Sequence, residues 1–454
     1  MNEIAKKILS DLKKSWQNIP FFSVLLCKTY FEAYKACRRQ WDAEELESVQ
    51  TKRLRAIIKH AYEHVEYYHS QFDSVGIKPE DIKTKEDLYK LPILSKQDIK
   101  THFSELIATN WNLGKCAINK TSGSTGEPTA ILFDRNSLVY THSALIRQFL
   151  ACGIGFYERI LGMSHNKWCP PTLDYFTGFH RVWYLPDRGK NLNYLSILKE
   201  LRPTVIYGSP SYIQALAHEI RDEELQLPIK AIISSFEVLD KGTRRYMCDV
   251  FGSDTFDYYS SAESDMAAWE CSEHTGYHIN TDNVIVEILN NGEMVGEGEH
   301  GEMVVTNLHN YAMPLIRYEI GDSVTFTGER CPCGIKLPLI KNIEGRIADF
   351  IVLPNGQLVS PEYLMSRMYH SAISKYQVIQ ESKNLVVIKF VEDTGFTSKI
   401  REDIENSYRG VLGDDVEIKL VSVDILPHEK SGKFRTVISK VHSPLPSAVL
   451  SAIK

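Results

Sequence analysis

The chain has 454 residues, 52 Lys and Arg against 58 Asp and Glu for a formal net charge of −6, and 43% hydrophobic residues. A mildly acidic chain is not a general nucleic-acid binder, whose affinity rests on basic side chains neutralising phosphates, and the apolar content excludes wholesale disorder. The length favours two or three domains.

Near the start, the apolar stretch Pro20 to Cys27 falls well short of the roughly 20 residues that a bilayer span needs. The opening segment has no apolar signal-peptide core ending in a small-residue cleavage site. A soluble cytoplasmic protein is expected, with no membrane span and no nucleic-acid partner. Residues 1–115 read as a helical lead-in, with Leu54, Ile57, Ile58, Ala61 and Val65 at helical spacing in a helix over 54–72. The stripe Tyr62, Tyr67, Tyr68 and Phe72 reads as core packing.

From 116 to 346 short β-branched runs alternate with helical segments. TAILF precedes a helix over Ser137–Cys152, TVIYG one over Tyr212–Leu225, and AIISS one over Lys241–Phe251; TFDYYS follows. Such alternation predicts a mostly parallel α/β sheet. Over 284–326 the helices give way to hairpin-like strands, with Asn290-Asn291-Gly292 as a turn. After Asp349 the pattern restarts: IVLPNGQLVS, a helix over 361–370, VIQESKNLVVIKFVE, a helix near 398–411, and VEIKLVSVDIL. The expected architecture is a large α/β N-terminal domain over 1–346, with a β-rich part, and a small α+β domain over 347–454. GRIAD (345–349) is the joint.

Thr121-Ser122-Gly123-Ser124-Thr125-Gly126 follows the short stretch Cys116–Lys120. Its two glycines allow successive N–H groups to form a nest for phosphate oxygens, yet it lacks the Gly-Lys-Ser/Thr ending of a Walker loop. Tyr259-Ser260-Ser261-Ala262-Glu263 closes a strand at the end where α/β sheets place ligands. A carboxylate there can ligate Mg²⁺ and a ring can stack on a base. Asp322 after Gly321 suits ribose hydroxyls, and Lys433 lies in a polar loop near the C-terminus.

In this order, together with RPTVIYGSPSYIQALA (202–217), EC…G-x-H (270–278), PLIRYEIGD, CPCG, GRIAD and SGK, the motifs resemble the adenylate-forming superfamily, most closely its phenylacetate–CoA ligase and capsular-polysaccharide (CapK-like) branch. The resemblance runs from about residue 50 to the C-terminus. It implies an AMP-forming ligase in which a carboxylate attacks the α-phosphate of ATP, pyrophosphate leaves, and a thiol or amine then displaces AMP. By family role 121–126 would hold the β,γ-phosphates, Glu263 Mg²⁺, Tyr259 and Ser260 the adenine region, Asp322 the ribose, and Arg346 the ribose or phosphate side. Lys433 would bridge the acid and the α-phosphate from a mobile small domain that rotates about 346–349.

Three positions depart from the family pattern: Glu127 replaces the usual Lys, Ala262 a Ser or Thr, and Ala348 a hinge Asp. Coenzyme A is the acceptor implied by resemblance, an amine on an amino sugar or amino acid is the alternative, and a degenerate nucleotide-binding protein without turnover is the second alternative. A homodimer is left open. For the acid, the aromatic-rich stretch 153–184 offers His165, Asn166 and Trp168, and the loop Ser235-Phe236-Glu237 adds a carboxylate suited to an amino-bearing acid.

Nine scattered cysteines do not make a disulfide scaffold. Cys27, Cys37, Cys116, Cys152 and Cys248 read as small buried hydrophobes. Cys271-x₆-His278 and Cys331-x-Cys333 form a Cys₃His set suited to structural Zn²⁺, and related ligases carry the same pieces.

Overall fold

The computed structural model describes residues 19–120, 129–163, 181–184, 194–221, 223, 225–368, 372–429 and 433–441. The expected phosphate loop 121–126, Glu127, and the acid-pocket candidates His165, Asn166 and Trp168 lie outside the described residues. No helix among those described is long and apolar enough to cross a membrane.

The helical lead-in comprises Ile19–Arg39, Ala43–His64 and Glu66–Ser74. Asp42 caps the second helix by accepting from Glu44 N and Glu45 N at 3.1 and 3.0 Å, which satisfies two otherwise orphan donors. The single helix expected over 54–72 is broken at Val65, whose backbone is extended. A continuous helix would keep one phase; the break re-aims the second half so that Tyr67, Tyr68 and Phe72 all enter the core. Tyr68 Oη donates to Pro314 O at 3.1 Å, so the buried hydroxyl is satisfied.

Strands β1 (Ala117–Lys120) and β2 (Ala130–Phe133) form a separate antiparallel pair. TAILF is therefore not part of the parallel sheet: Ala130–Phe133 pairs antiparallel with its near neighbour in the chain, Ala117–Lys120. The main sheet holds β3 (Arg159–Met163), β4 (Arg181–Tyr184), β5 (Val205–Gly208), β6 (Ala231–Ser234), β7 (Asp254–Ser261), β8 (Asp265–Glu270), β9 (Tyr277–Ile279), β10 (Val284–Asn290), β11 (Glu293–Met294), β12 (His300–Asn307), β13 (Tyr318–Phe326) and β14 (Leu339–Arg346). Their spatial order is β11-β10-β12-β13-β14-β9-β8-β7-β6-β5-β3-β4.

The stretch β7-β6-β5-β3-β4 is parallel, whereas β7 pairs antiparallel with β8. The switch falls at the turn 262–264, where Ser261 Oγ accepts from Glu263 N and Ser264 N at 3.2 and 2.9 Å. Gly208 ends β5 because a Cβ there would lie 2.0 Å from Met163 O.

After Arg346 the chain forms the hairpin β15 (Ile351–Val352) and β16 (Leu358–Val359), then a separate four-stranded sheet. That sheet contains β17 (Ile373–Ser382), β18 (Leu385–Glu392), β19 (Glu417–Ser422) and β20 (Val437–Ser439) in the order β19-β18-β17-β20. The helix Ser398–Leu412 buries Ile400, Ile404, Tyr408 and Leu412, one side chain per turn, against it. The helix expected over 361–370 is shorter, Pro361–Met365.

The lead-in is fastened to the main body by charge. Arg39 Nη1 and Arg147 Nη2 reach Asp282 at 2.7 and 2.9 Å, all three side chains buried. Burial alone would raise the Asp282 carboxyl, but Arg147, Arg53 and Arg39 outweigh it and hold the carboxyl well below its ordinary range. Cys37, Cys116, Cys152 and Cys248 are half-buried rather than fully enclosed.

Candidate active site

A cleft enclosing about 1290 Å³ of atom-free space, part of it open to solvent, lies over the loop after β6 and the end of β7 and against the small sheet. Tyr259 and Ser260 come from β7, Glu263 from the switch turn, Asp322 from β13 and Arg346 from the end of β14. Lys433 enters from the opposite side, on the loop before β20. Residues more than a hundred positions apart thus face one space, at the sheet's reversal point, where α/β folds bind ligands.

Asp322 and Arg346 are register partners across β13 and β14, which places Arg346 Nε 3.1 Å from Asp322 Oδ1. Tyr259 Oη donates to Asp322 Oδ2 at 2.5 Å. Burial and the Asp322 charge keep the Tyr259 phenol well above its usual range, so it remains a donor. Tyr318 Oη donates to Glu263 Oε1 at 3.2 Å. Burial and the neighbouring Arg346 lower the Lys433 ammonium, while Asp322, Glu237 and Glu263 oppose that shift. A cation from one body and carboxylates from the other therefore share the cleft.

The Ser235–Glu237 loop lies at the edge of the same cleft. Ser235 Oγ is 3.4 Å from Ser260 Oγ, and Phe236 adopts a left-handed backbone (φ +74°). Glu237 is occupied by protein: Oε1 accepts from Ser211 Oγ and from Phe434 N, both at 3.0 Å, and Oε2 accepts from Ser211 N at 3.2 Å. The expectation of a carboxylate held ready for a substrate amine meets three donors already in place.

Two charged groups were not legible in the sequence, one lining the cleft and one within electrostatic reach of it. Asp257 on β7 accepts from Tyr277 Oη at 2.9 Å, and burial with the Glu270 charge pushes its carboxyl up to about 7. Lys96 belongs to the lead-in. Leu94 bridges β13 through Leu94 N to Arg317 O (2.9 Å) and Glu319 N to Leu94 O (3.0 Å). That contact brings the Lys96 ammonium within electrostatic reach of Arg346 and Glu263, and it is lowered by burial first and Arg346 second. The sequence signal was only a basic residue after a serine cap. Arg317, in contrast, is buried and structural, paired with Glu287 at 2.9 Å.

Away from the cleft, one ligand atom from each of Cys271, His278, Cys331 and Cys333 lies within 4.8 Å of the others. Cys271 Sγ is 3.5 Å from Cys331 Sγ, and Cys333 Sγ is 3.4 Å from His278 Nε2. Cys271 follows β8, His278 sits in β9, and Cys331 and Cys333 occupy a turn closed by Gly334 N donating to Cys331 O at 3.2 Å. Gly334 at φ +86° supplies the left-handed residue that this knuckle needs. Tetrahedral Zn²⁺ with bonds of about 2.0–2.3 Å has donor separations of roughly 3.3–3.8 Å; these two pairs fall in that range, and three thiols with one imidazole are the donor chemistry that suits the ion.

Comparison with known proteins bears on the fold and the relatives of the chain. The CapK C-terminal domain family matches residues 351–440. The phenylacetate-coenzyme A ligase of Thermus thermophilus is 25% identical over 434 residues, covering 87% of this chain and 96% of the relative. Protein CapK of Staphylococcus aureus is 22% identical over 467 residues, covering 96% and 97%. Crystalline 2-hydroxyisobutyryl-CoA ligase, in the postadenylation state with its acyl-AMP, shares the fold at a TM-score of 0.76 and 21% identity, covering 88% of this chain and 90% of that one. Along most of its length the chain is similar to the phenylacetate–CoA ligases and to protein CapK, its residues 351–440 match the CapK C-terminal domain, and its fold is that of an acyl-CoA ligase that forms an acyl-AMP.

Proposed function

We propose that the protein is an AMP-forming carboxylate ligase that activates an acid with ATP and passes the acyl group to coenzyme A. The observation that carries this reading is the convergence of Tyr259, Asp322, Arg346 and Glu263 with Lys433 on one cleft, from two separately folded sheets. The named activity of the curated relatives supports it.

The first step joins two anions, a carboxylate and the α-phosphate, so a cation between them lowers the repulsion. Lys433 fills that role, and its partly desolvated ammonium acts more strongly than in water. Asp322, oriented by Tyr259 and Arg346, accepts from the ribose hydroxyls. Arg346 steadies the phosphate side. The carboxylate oxygen forms a bond to the α-phosphorus as the bridging P–O bond to pyrophosphate breaks; the thiol of coenzyme A then attacks the acyl carbon, loses its proton, and AMP departs. Glu263 offers hard oxygen ligands for Mg²⁺, which would neutralise charge on the leaving pyrophosphate.

The lid in this reading begins after Arg346. Arg435 pairs with Asp349 within the lid, just past that joint, so Asp349 has an interaction independent of the hinge residue replaced by Ala348. Cys271, His278, Cys331 and Cys333 would hold a structural Zn²⁺ that fixes the β8–β9 turn to the β14 lead-in, without contact with substrate.

Pyrophosphate exchange against a panel of aryl, acyl and amino acids tests the first step, and no exchange with any acid despite ATP binding would leave the binding-module reading. An amine acceptor is the competing second step, motivated by Ala348 at the hinge. AMP release that depends on coenzyme A, with the acid held fixed, decides between them.

A further inference from the structure

Lys433 is placed by a single peptide unit, and that unit is gripped from both bodies. Its carbonyl, Lys433 O, accepts from Glu429 N at 2.9 Å, a bond internal to the lid. Its amide, Phe434 N, donates at 3.0 Å to Glu237 Oε1 of the main body. The Phe434 ring is buried, with the Lys375 ammonium 3.9 Å from its centroid and the His428 ring at 5.6 Å. His428 in turn stacks on Tyr212 at 4.5 Å and lies 3.4 Å from Ser211 Oγ. The segment carrying Lys433 is thus seated on the first turn of the helix Pro210–Ile220, and Glu237 is the carboxylate that joins the two.

We propose that Glu237 is a positioning residue for the adenylation step, a clamp that receives the Lys433–Phe434 peptide and so aims the Lys433 ammonium into the cleft. The proposal rests on the reading that Lys433 serves adenylation, and it gives Glu237 a task other than contact with the acid. The chemistry of the seat calls for a carboxylate. Two backbone N–H groups, Ser211 N and Phe434 N, approach its two oxygens. A carboxylate accepts on both sides, whereas an amide must turn an NH₂ donor toward one of them. Ser211 lies in the first helical turn, where the positive end of the helix dipole favours a negative charge. Fixing this peptide limits the backbone rotation that would swing the lysine Cβ, and positional errors near 1 Å carry large rate costs. When the lid turns for the second half-reaction the Phe434–Glu237 bond is among the contacts that must break, together with His428 on Tyr212, so the clamp acts in one half-reaction alone.

Two measurements on the full-length protein test this. Hydrogen exchange, read by mass spectrometry with ATP and Mg²⁺ bound, should show Phe434 within a protected segment 433–437. In Glu237→Gln and Glu237→Ala, exchange there should rise on the order of tenfold to a hundredfold, as expected for losing a charge-assisted bond, while the β18 and β19 segments stay unchanged. Pyrophosphate exchange with the best acid of the panel should lose kcat in the order wild type, Gln, Ala, with the KM for acid unchanged. Consumption of preformed phenylacetyl-AMP with coenzyme A should keep its wild-type rate. A raised acid KM at unchanged kcat would make Glu237 a substrate contact, and equal losses in both half-reactions would make it merely structural; either result overturns the clamp. If the wild type exchanges pyrophosphate with no acid but protects Phe434 through Glu237, the adenylation reading falls and the seat stands. If segment 433–437 is unprotected in the wild type, the seat itself is refuted.

Discussion

Replacing Asp322 by Ala should remove the ribose anchor while leaving the sheet intact. Its carboxylate offers about four lone-pair sites. Tyr259 takes one at 2.5 Å and Arg346 one at 3.1 Å, leaving two for a pair of vicinal hydroxyls. Each bond to a charged acceptor is worth about 1.5–3 kcal/mol, so the two together contribute roughly 3–6 kcal/mol, or about 10²–10⁴ in ATP affinity. Arg346, a third exposed at its side chain, can be solvated after the change, so the fold should tolerate it. The assay is pyrophosphate exchange with ATP and with 3′-deoxy-ATP as co-substrates. Wild type should discriminate against the deoxy nucleotide at least tenfold; the variant should show a raised ATP KM and lose the discrimination. An ATP KM within twofold of wild type, or unchanged discrimination, would refute the assignment of Asp322 to the ribose.

Further outcomes follow from the same geometry. Lys433→Ala should slow pyrophosphate exchange roughly a hundredfold to a thousandfold while the melting temperature and ATP binding hold, because the side chain emerges from a loop; exchange at wild-type rate would remove it from the step. Asp282→Asn leaves Arg147 and Arg39 buried without their counter-charge and should cost about 3–5 kcal/mol in urea unfolding at neutral pH. Because the folded Asp282 carboxyl is held below its ordinary range, its stabilisation is fully present above about pH 4 and is lost as the pH falls through the depressed folded value. The gap between wild type and Asn variant should therefore shrink in acid, and a constant gap counts against the pairing. Protein purified without added metal should contain about one Zn²⁺ per chain, by elemental analysis. Cys331→Ser should lower zinc content and melting temperature together, with the KM for ATP unchanged; a metal-free protein of unaltered stability would dismiss the site.

Sequence alone determined what local periodicity and short motifs encode. The helices near Arg135–Ala151, Lys241–Phe251 and Ser398–Leu412 follow from apolar spacing and from caps such as Asp134 and Asp240. Tyr259, Glu263, Asp322, Arg346 and Lys433 stood out in the sequence through the order of their motifs and the family resemblance it carries, since each charge taken singly reads as solvated surface; that they line one cleft is a tertiary fact. Tertiary structure decided the rest, because it depends on pairings far apart in the chain. TAILF carries the same β-branched pattern as a parallel strand, and only its pairing with β1 makes it antiparallel. Val65 breaks a helix that periodicity would continue, because the core beneath needs the second half in another phase. Lys96 comes within electrostatic reach of Arg346 and Glu263 through the bridge between Leu94 and Tyr318. Glu237 looks in sequence like a pocket carboxylate; the partner that engages it, Phe434 N, lies 197 positions away. No spacing rule links them, since hydrogen bonding across two bodies depends on how the bodies dock.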